Sequence, residues 1–336
     1  MNDIAQRARA SVLETWANAQ VGPWRDRDIG RERLGDLENA HGGLYRLSFS
    51  GEGVSYREKP GATALQKEFA SRARQYADML GEVHAIHGRG LRYDLMLGVA
   101  DMPAGELGVP VFAFQKPDGS DAILLPDINF LGSRYYQAPK WKDDIPFFDK
   151  TDTAVFVGST TGGGQITEAK LRANQVPRIN AAIYFRNNPR VTFKLPNLCQ
   201  YADEATRKRL VALDLGSKRI SWKEQFKSKL LLSMDGNGAT CSRVAVALGS
   251  NGVLVKYDSP HRLYYFDGLE RGVHYVGVAD NVEVEAVLDD LVVHPERYAE
   301  IARRSKDFHD TYLTKTAVLE YTGLVTRAYA ELDGGC

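Results

Sequence analysis

The stretch from residue 229 to residue 259 restricts the possible folds of this chain more than any other. It reads KLLLSMDGNGATCSRVAVALGSNGVLVKYDS, which is the pattern of a buried strand, a polar glycine loop, a helix, a glycine turn and a second buried strand. Two strands joined through a helix in this way pair in parallel within one sheet. The stretch therefore predicts an α/β domain that contains a parallel sheet.

The rest of the second half repeats this alternation. TAVFVG, VTFKLP and VHYVGV are further strand-like runs separated by helical stretches, and the chain ends in segments with apolar residues at three- and four-residue spacing. Residues 1–90 have mainly helical patterns, with a hairpin expected at residues 44–57, and short apolar runs follow from residue 91. We predict an α/β protein with a helical N-terminal segment and C-terminal helices.

The length of the chain favours two domains. It has 336 residues, whereas a single hydrophobic core stops growing at roughly 250–300 residues. The segment 134–152 combines aromatics, prolines and charges without a period, as connections between domains often do. We place the boundary there, which gives a first lobe at residues 1–150 and a second lobe from residue 151.

Charge balance and cysteine content argue against several classes of protein. Lys and Arg total 43, as do Asp and Glu, so no net charge would attract nucleic acid or an anionic membrane. The three cysteines form no CxxC pair, which argues against a disulfide framework and a zinc site. The first 20 residues lack the apolar core of a signal peptide, and no apolar run approaches the roughly 20 residues of a membrane span. We expect a cytoplasmic protein.

The glycine loop of the βαβ unit has the features of a phosphate site. It precedes a helix, whose first backbone amides and dipole favour an anion, and an arginine in the first turn would add positive charge. The loop is not a dinucleotide fingerprint, because Cys241 occupies the third glycine position. A simple tight turn explains the loop equally well. The candidate residues are Asp235, Gly236, Asn237, Gly238, Ala239, Thr240, Ser242 and Arg243.

Two other loops are expected at the same edge of the sheet. One is the glycine-rich segment 158–164, which follows the strand TAVFV, and the other follows the strand GVLVKY. In open α/β sheets, ligands bind at the carboxyl ends of the strands. Each loop alone is also compatible with a merely flexible connection, but together they indicate a binding crevice. The candidate residues are Gly158, Ser159, Thr160, Thr161, Asp258 and Ser259.

The sequence supports a metal site less well than it supports a phosphate site. Asp26 and Asp28 match the DxD pattern of metal-dependent sugar transferases, but they lie in the charged run WRDRDIGRER, which is typical of a solvated surface. His84 and His87 lie one helical turn apart without a carboxylate or cysteine nearby in sequence. We therefore predict no metal site. The chain also lacks the hydrolase, kinase and metalloprotease motifs GxSxG, Walker A and HExxH.

Residues 220–275 resemble glycosyltransferase family 90, which includes lipopolysaccharide- and capsule-modifying transferases and Rumi-like protein O-glucosyltransferases. The resemblance lies in DGNGA-x-x-SR, in GS-x-G-VLVK-x-DSP, in the pair Tyr264-Tyr265 and in the VHY strand. A weaker similarity extends over residues 95–332, through VADMP, GVPVFAFQK and FVGSTTGG. The first 90 residues show no such similarity.

The resemblance implies a GT-B fold, with two Rossmann-like lobes and the donor held mainly by the second lobe, residues 151–313. The last helix, residues 314–332, would return to the first lobe. Asp101 in VADMP stands at the position of the general base, and residues 239–243 at that of the diphosphate-binding segment. Thr160 stands where many relatives have an arginine, so Arg178 or Arg172 would supply that contact. Gly272 replaces a tryptophan of the relatives.

By this resemblance the chain would transfer glucose, galactose or xylose from a UDP-sugar, with inversion and without a metal or other cofactor. Its acceptor would be a glycan or glycolipid, such as lipopolysaccharide core or another bacterial surface glycan. Its contact with the membrane would be at most peripheral. Protein O-glycosylation is one alternative. A non-catalytic nucleotide-sugar or glycan sensor is another, since it would need Arg243 but not Asp101. A Rossmann oxidoreductase is disfavoured by the missing third glycine.

Overall fold

The computed structural model describes residues 3–59, 61–103, 105–239, 241–332 and 334. The chain divides into two compact units. The first comprises Met1–Tyr135, Pro260–Gly268 and Thr311–Cys336, and the second comprises Tyr136–Ser259 and Leu269–Asp310. Residues 136–150, which the sequence placed in the first lobe, thus group with the second unit. The roles of the lobes in acceptor and donor binding stay predictions.

Helices and strands alternate along most of the chain. The helices are α1 (Asp3–Val21), α2 (Leu34–Ala40), α3 (Ala64–His87), α4 (Ile128–Gly132), α5 (Glu168–Arg172), α6 (Pro177–Tyr184), α7 (Glu204–Ala212), α8 (Trp222–Gln225), α9 (Cys241–Leu248), α10 (Asn281–Val293), α11 (Pro295–Tyr312) and α12 (Lys315–Leu332). The strands are β1 (Leu44–Ser50), β2 (Gly53–Tyr56), β3 (Tyr93–Gly98), β4 (Val111–Ala113), β5 (Lys116–Pro117), β6 (Ile123–Leu124), β7 (Thr151–Ser159), β8 (Val191–Asn197), β9 (Ser228–Ser233), β10 (Val253–Tyr257), β11 (His261–Arg262) and β12 (Val276–Val278).

The first unit contains a mixed sheet with the order β2-β1-β3-β4-β6. β1 pairs antiparallel with both β2 and β3, whereas β3, β4 and β6 are parallel. The hairpin predicted at residues 44–57 is confirmed, because Ser50 lies opposite Gly53 in the β1–β2 register. A short antiparallel ribbon joins β11 to β5 in the same unit.

Long helices pack beside this sheet. α3 begins with a capping box, in which the Thr63 hydroxyl accepts from the backbone N–H of Gln66 and the Gln66 side chain accepts from the backbone N–H of Thr63. α12 packs against α1 and α3, and its Tyr321 hydroxyl donates to the carbonyl of Leu124 at 2.8 Å. Within the described ranges, every helix is too short or too polar to span a lipid bilayer.

The second unit is built around a parallel sheet with the order β12-β10-β9-β7-β8. The chain runs from β7 outward to β8, then returns to β9 on the other side of β7 and continues outward to β10 and β12. All residues of β10 and nearly all of β9 are buried, as expected for strands covered on both faces. The alternation of strands and helices predicted for this half is therefore confirmed.

Candidate functional site

The strand order of the second unit reverses between β7 and β9. Connections leaving the carboxyl ends of these neighbours run to opposite sides of the sheet, which leaves a crevice that α/β proteins use for ligands. The two predicted glycine loops follow β7 and β9 and contact each other there. A Cβ atom added to Gly162 would lie 3.0 Å from the carbonyl oxygen of Asp235. The sequence pattern thus leads to two adjacent loops at a topological switch point.

A cavity of about 480 Å³ opens in this unit. It is bounded by the ends of β7 and β8, by α8 with the residues before it, and by the first turn of α9. Its volume falls in the range of small-molecule pockets. Of the predicted site residues, the structure brings five to its wall: Gly158, Ser159, Arg178, Ser242 and Arg243.

Arg243 lies deep in the wall of this cavity and is 6% exposed. Its guanidinium lies between two aromatic rings, 4.7 Å from the centroid of Phe156 and 4.8 Å from that of Trp222. It donates to the side-chain oxygen of Gln225 at 3.1 Å and to the carbonyl of Val157. These contacts fix the plane of the guanidinium. Burial, followed by the neighbouring charge of Arg178, lowers the pKa of Arg243 to about 9, so it remains charged at pH 7.

Arg178 also lies near Phe156, its guanidinium 5.2 Å from the ring centroid. It reaches there because Pro177 begins α6 and places Arg178 on the buried face of that helix. It donates to the carbonyls of Met234 at 2.8 Å and Ser159 at 3.1 Å, and to the Thr161 hydroxyl at 2.7 Å. Burial lowers the pKa of Arg178 to about 10. Arg178 therefore joins the loops after β7 and β9.

The two arginines are held without a salt bridge to any described carboxylate, although the charge of Asp235 acts on Arg178. Among the described residues, neither Arg178 nor Arg243 forms an ion pair with Asp or Glu. Burying one unpaired charge is costly, and burying two close together is more so. An anion in the cavity would offset that cost and form charge-assisted hydrogen bonds with both.

Glycine is required where the loops approach Arg178. A Cβ atom at Gly236 would lie 2.6 Å from the Thr161 hydroxyl oxygen and 2.9 Å from Nη2 of Arg178. A Cβ atom at Gly158 would lie 2.8 Å from the ring of Phe156. Both distances are too short for a real side chain, so these positions exclude any larger residue without rearrangement.

Other predicted residues hold the loops rather than line the cavity. The Ser259 hydroxyl donates to the Asp235 carboxylate, which ties the end of β10 to the loop after β9. Asn237 accepts from the Gln200 side chain at 3.0 Å, and the Gly236 N–H donates to the carbonyl of Gly238 at 3.1 Å. The buried Ala239 is packed at the end of this loop.

Two predicted site residues, Thr160 and Asp258, interact with residues outside the cavity wall. Thr160 is fully buried, and its hydroxyl donates to the Cys199 carbonyl and accepts from the Cys199 N–H, both at 2.9 Å. Asp258 is exposed and lies 3.3 Å from Arg271. Thr240 lies outside the described residues. Donor binding by these three positions stays a prediction.

Much of the cavity wall consists of residues that no sequence motif indicated. Phe156, Trp222 and Gln225 surround Arg243, and the polar residues Asn197, Arg219 and Ser221 also line the cavity. A signal was present for one of them. Trp222 is one of only four tryptophans, and it follows Ser221, whose hydroxyl caps α8.

Asp101, the predicted base, lies in the first unit just after β3. Its carboxylate accepts from Arg72 at 3.0 Å and is 41% exposed, so one ion pair orients it while part of it faces solvent. Arg72 comes from α3, where it also pairs with Glu68 one turn earlier. The Gln115 side chain donates to the backbone carbonyl of Asp101.

No metal cluster is evident in the part of the chain that the structure describes, where no group of three His, Cys, Asp or Glu side chains could hold an ion. Asp28 instead accepts from the backbone N–H of Gly30 at 3.0 Å within a turn. His84 is buried, with Nε2 lying 2.9 Å from the carbonyl of Ser50.

Comparison with solved structures gives distant similarities. The Anabaena protein Alr3699/HepE in complex with UDP-glucose is 13% identical, with 54% of this chain and 48% of that chain covered and a TM-score of 0.34. The C-terminal domain of LpcC from Francisella tularensis, a glycosyl transferase group 1 family protein, is 13% identical over 48% of this chain and 86% of its own, with a TM-score of 0.29. A chain of the GtfA/B complex is 14% identical over 55% and 37%, with a TM-score of 0.32.

In the alignment with HepE, this chain thus spans about half the length of that protein. No curated protein sequence matches it significantly. The family model described as glycosyl transferase family 90 matches residues 83–333, which is well over half of the 336 residues and includes Asp101, Arg178 and Arg243. The chain belongs to glycosyltransferase family 90.

Proposed function

We propose that this chain transfers a sugar from a UDP-sugar to a carbohydrate acceptor, with inversion at the anomeric carbon. The observation that carries the proposal is the pair Arg178 and Arg243, two buried guanidinium groups that line one cavity without a carboxylate partner in the described chain. A nucleoside diphosphate supplies the missing anion. The choice of UDP follows the family resemblance.

The two arginines fit the chemistry of a leaving diphosphate. In glycosyl transfer, negative charge develops on the phosphate as the bond to the sugar breaks, and positive groups already fixed in place stabilise that charge without reorganisation. Arg243 is held by Gln225 and by two aromatic rings, and Arg178 by backbone carbonyls. Because this charge is supplied by side chains, the proposed reaction has no step that needs a metal.

Asp101 is the proposed general base. Inversion requires one carboxylate to accept the proton of the acceptor hydroxyl while UDP leaves from the opposite face of the sugar. The half-exposed carboxylate of Asp101 has room for an acceptor, and its ion pair with Arg72 restricts its orientation. Arg72 would be a positioning residue in this scheme.

The donor sugar would be glucose, galactose or xylose, and the acceptor lipopolysaccharide core or another bacterial surface glycan. The reaction would take place in the cytoplasm, with at most peripheral contact to the inner face of the membrane. A protein acceptor, or a non-catalytic role in sensing nucleotide sugars or glycans, is the alternative. A sensor would keep the arginine pair and have no use for Asp101.

The test is UDP release from a panel of UDP-sugars, measured with and without a pool of bacterial glycan acceptors. We expect release from one UDP-sugar to rise when acceptors are added, and to fall sharply in Asp101→Asn. Calorimetry should show that UDP binds the protein and that NAD does not. Binding of UDP without any turnover would favour the sensor. Binding of NAD but not UDP would contradict the proposal.

A further inference from the structure

A second cavity lies within the first unit, between the β1–β2 hairpin and α3. Its volume is about 320 Å³. We call it the basic pocket, because cations and hydroxyls dominate its lining, which includes Tyr45, Tyr56, Lys59, Lys67, Ser71 and Arg74. None of these residues contributes to the cavity of the second unit, and the proposed chemistry does not use them.

Lys59 gives the basic pocket a partly buried charge. Its ammonium group donates to the backbone carbonyls of Glu38, His41 and Leu44 at 2.6–3.1 Å, and it lies 5.0 Å from the ring centroid of Tyr45. These bonds use all three of its protons. Burial lowers the pKa of Lys59. The charge of the nearby Glu38 carboxylate partly opposes this shift, so Lys59 adds a positive field to the pocket rather than a free hydrogen-bond donor.

Lys67 is the cation that a ligand can reach. Its side chain is exposed, and its ammonium group has no hydrogen bond or ion pair within the described ranges. Its stem is fixed by the chain, because a Cβ atom at Gly61 would lie 2.8 Å from Cγ of Lys67. Gly61 therefore allows the loop before α3 to lie against the stem of Lys67, and both residues line the pocket.

Arg74 contributes a third charge about two turns further along α3 than Lys67. It pairs with Glu58 at 3.1 Å, but both side chains are more than 60% exposed, and ion pairs of this kind contribute little to stability. A ligand carboxylate or phosphate can replace Glu58 at low cost. The lining then carries three cations against one carboxylate, with the Ser71 side chain beside them.

The basic pocket and Asp101 both lie next to α3, on adjacent faces of that helix. Glu68 and Arg72 of α3 face Asp101, while Lys67 and Ser71, each one residue earlier, face the pocket. Neighbouring residues of a helix are rotated by about 100° around its axis, so the two groups occupy adjacent faces of α3. A molecule that reaches Asp101 from this side would pass near the basic pocket.

We propose that the basic pocket binds an anionic group, a carboxylate or a phosphate, carried by the acceptor glycan. This rests on the proposed function, because it makes the pocket a subsite for the acceptor. The capping box already uses the N–H of Gln66, so we assign the anion to the side chains of Lys67 and Arg74 rather than to the helix terminus. The acceptor is thus an acidic or phosphorylated sugar.

The experiment measures binding of small probes to the intact protein by calorimetry or NMR titration. Glucuronate and glucose 6-phosphate should bind, and glucose should bind at least about 10-fold more weakly, since a charged hydrogen bond accounts for that difference. Lys67→Gln combined with Arg74→Gln should abolish the preference for the acidic sugars. Lys208→Gln, an exposed lysine on α7 of the second unit, is the matched control and should leave it unchanged.

Equal binding of glucose and glucuronate, or an unchanged preference in the double variant, would overturn the proposal. Inorganic phosphate that binds as tightly as glucose 6-phosphate would also overturn it, in favour of a free-anion site. Binding to phosphatidylglycerol vesicles but not to the acidic sugars would assign the pocket to a lipid surface. UDP affinity is measured on the same variants, so that this proposal and the proposed function can fail separately. If the protein binds glucuronate but not UDP, the result contradicts only the proposed function.

Discussion

Arg72 of the first unit and the arginine pair of the second unit are held in opposite ways. In the first unit, Arg72 lies between two carboxylates, those of Glu68 and Asp101, and remains near the surface. In the second, Arg178 and Arg243 are almost fully buried, and their hydrogen bonds to the described residues go to carbonyls, a side-chain amide and a hydroxyl. A paired arginine holds a carboxylate in place, whereas an unpaired buried arginine leaves its charge for a ligand. If the proposed function is correct, proton transfer depends on the first unit and donor binding on the second.

The largest effect that would test this separation is expected from Asp101→Asn. The change keeps the shape of the side chain and removes its ability to accept a proton at neutral pH. Transfer should fall by about 10²–10⁴-fold, as is typical for loss of a general base, while UDP affinity should remain within about twofold. Steady-state UDP release and UDP calorimetry on the same preparation measure the two quantities. Wild-type transfer rates in this variant would remove Asp101 from the mechanism.

Asp127 offers a second test, because it is a fully buried carboxylate of the first unit that forms no ion pair with the described residues. Its carboxylate accepts from the N–H of Asn129 at 2.8 Å, and burial raises its pKa to about 6. The folded state therefore binds the proton more tightly than the unfolded state, so stability is greatest below about pH 4 and falls as pH rises towards 6. The loss is on the order of 3 kcal/mol.

Asp127→Asn should remove this loss, because asparagine keeps the cap on α4 without a charge. Urea unfolding at pH 5 and pH 7 measures it. The variant should gain stability over the wild type at pH 7, and the gain should shrink at pH 5. An identical difference at both pH values would show that Asp127 does not titrate in this range.

Removing one arginine of the second unit should have a somewhat smaller effect. Arg243→Ala should weaken UDP binding by about 1.5–3 kcal/mol, the usual contribution of a hydrogen bond to a charged group. Arg172→Ala is the matched control, because Arg172 is 82% exposed and pairs with Glu168 on the surface. Loss of affinity in the control but not in Arg243→Ala would reverse the assignment.

The smallest effect is expected from chelation. If Arg178 and Arg243 supply the charge that stabilises the leaving diphosphate, EDTA should leave the rate of UDP release unchanged. Restoration of a lost activity by manganese or magnesium would instead return Asp26 and Asp28 to consideration and weaken the contrast between the units.

Local periodicity was enough to predict much of the fold. β9 and β10 are nearly all apolar and flank a glycine loop and a helix, and the β1–β2 hairpin has Gly-Glu-Gly between two β-rich runs. Family membership and the two α/β units confirm the predicted GT-B fold class. The sequence could not show that the chain returns to the first unit at residues 260–268, because the short β11 pairs with β5 more than 140 residues earlier.

The candidate site was predictable only in part. The glycine loops and Arg243 carry recognisable spacing, but the environment of Arg243 does not. Phe156 and Trp222 are far from it in sequence, and aromatic residues are usually assigned to the core. The choice between Arg172 and Arg178 also required the structure, because both lie in short helical stretches and only Arg178 is on a buried face. Thr160 fits the loop pattern, yet it is used to hold Cys199.

The interleaved connectivity of the two units limits how such a protein can be cut and recombined. The first unit is assembled from three stretches of chain and the second from two, so no single cut yields either one intact. A gene ending at Ser259 would lack β11 and α12, which belong to the first unit, together with α10 and α11. Lobe exchange between relatives would need several simultaneous junctions. New donor or acceptor preferences are therefore more accessible through point changes in the loops and pockets than through shuffling of whole lobes.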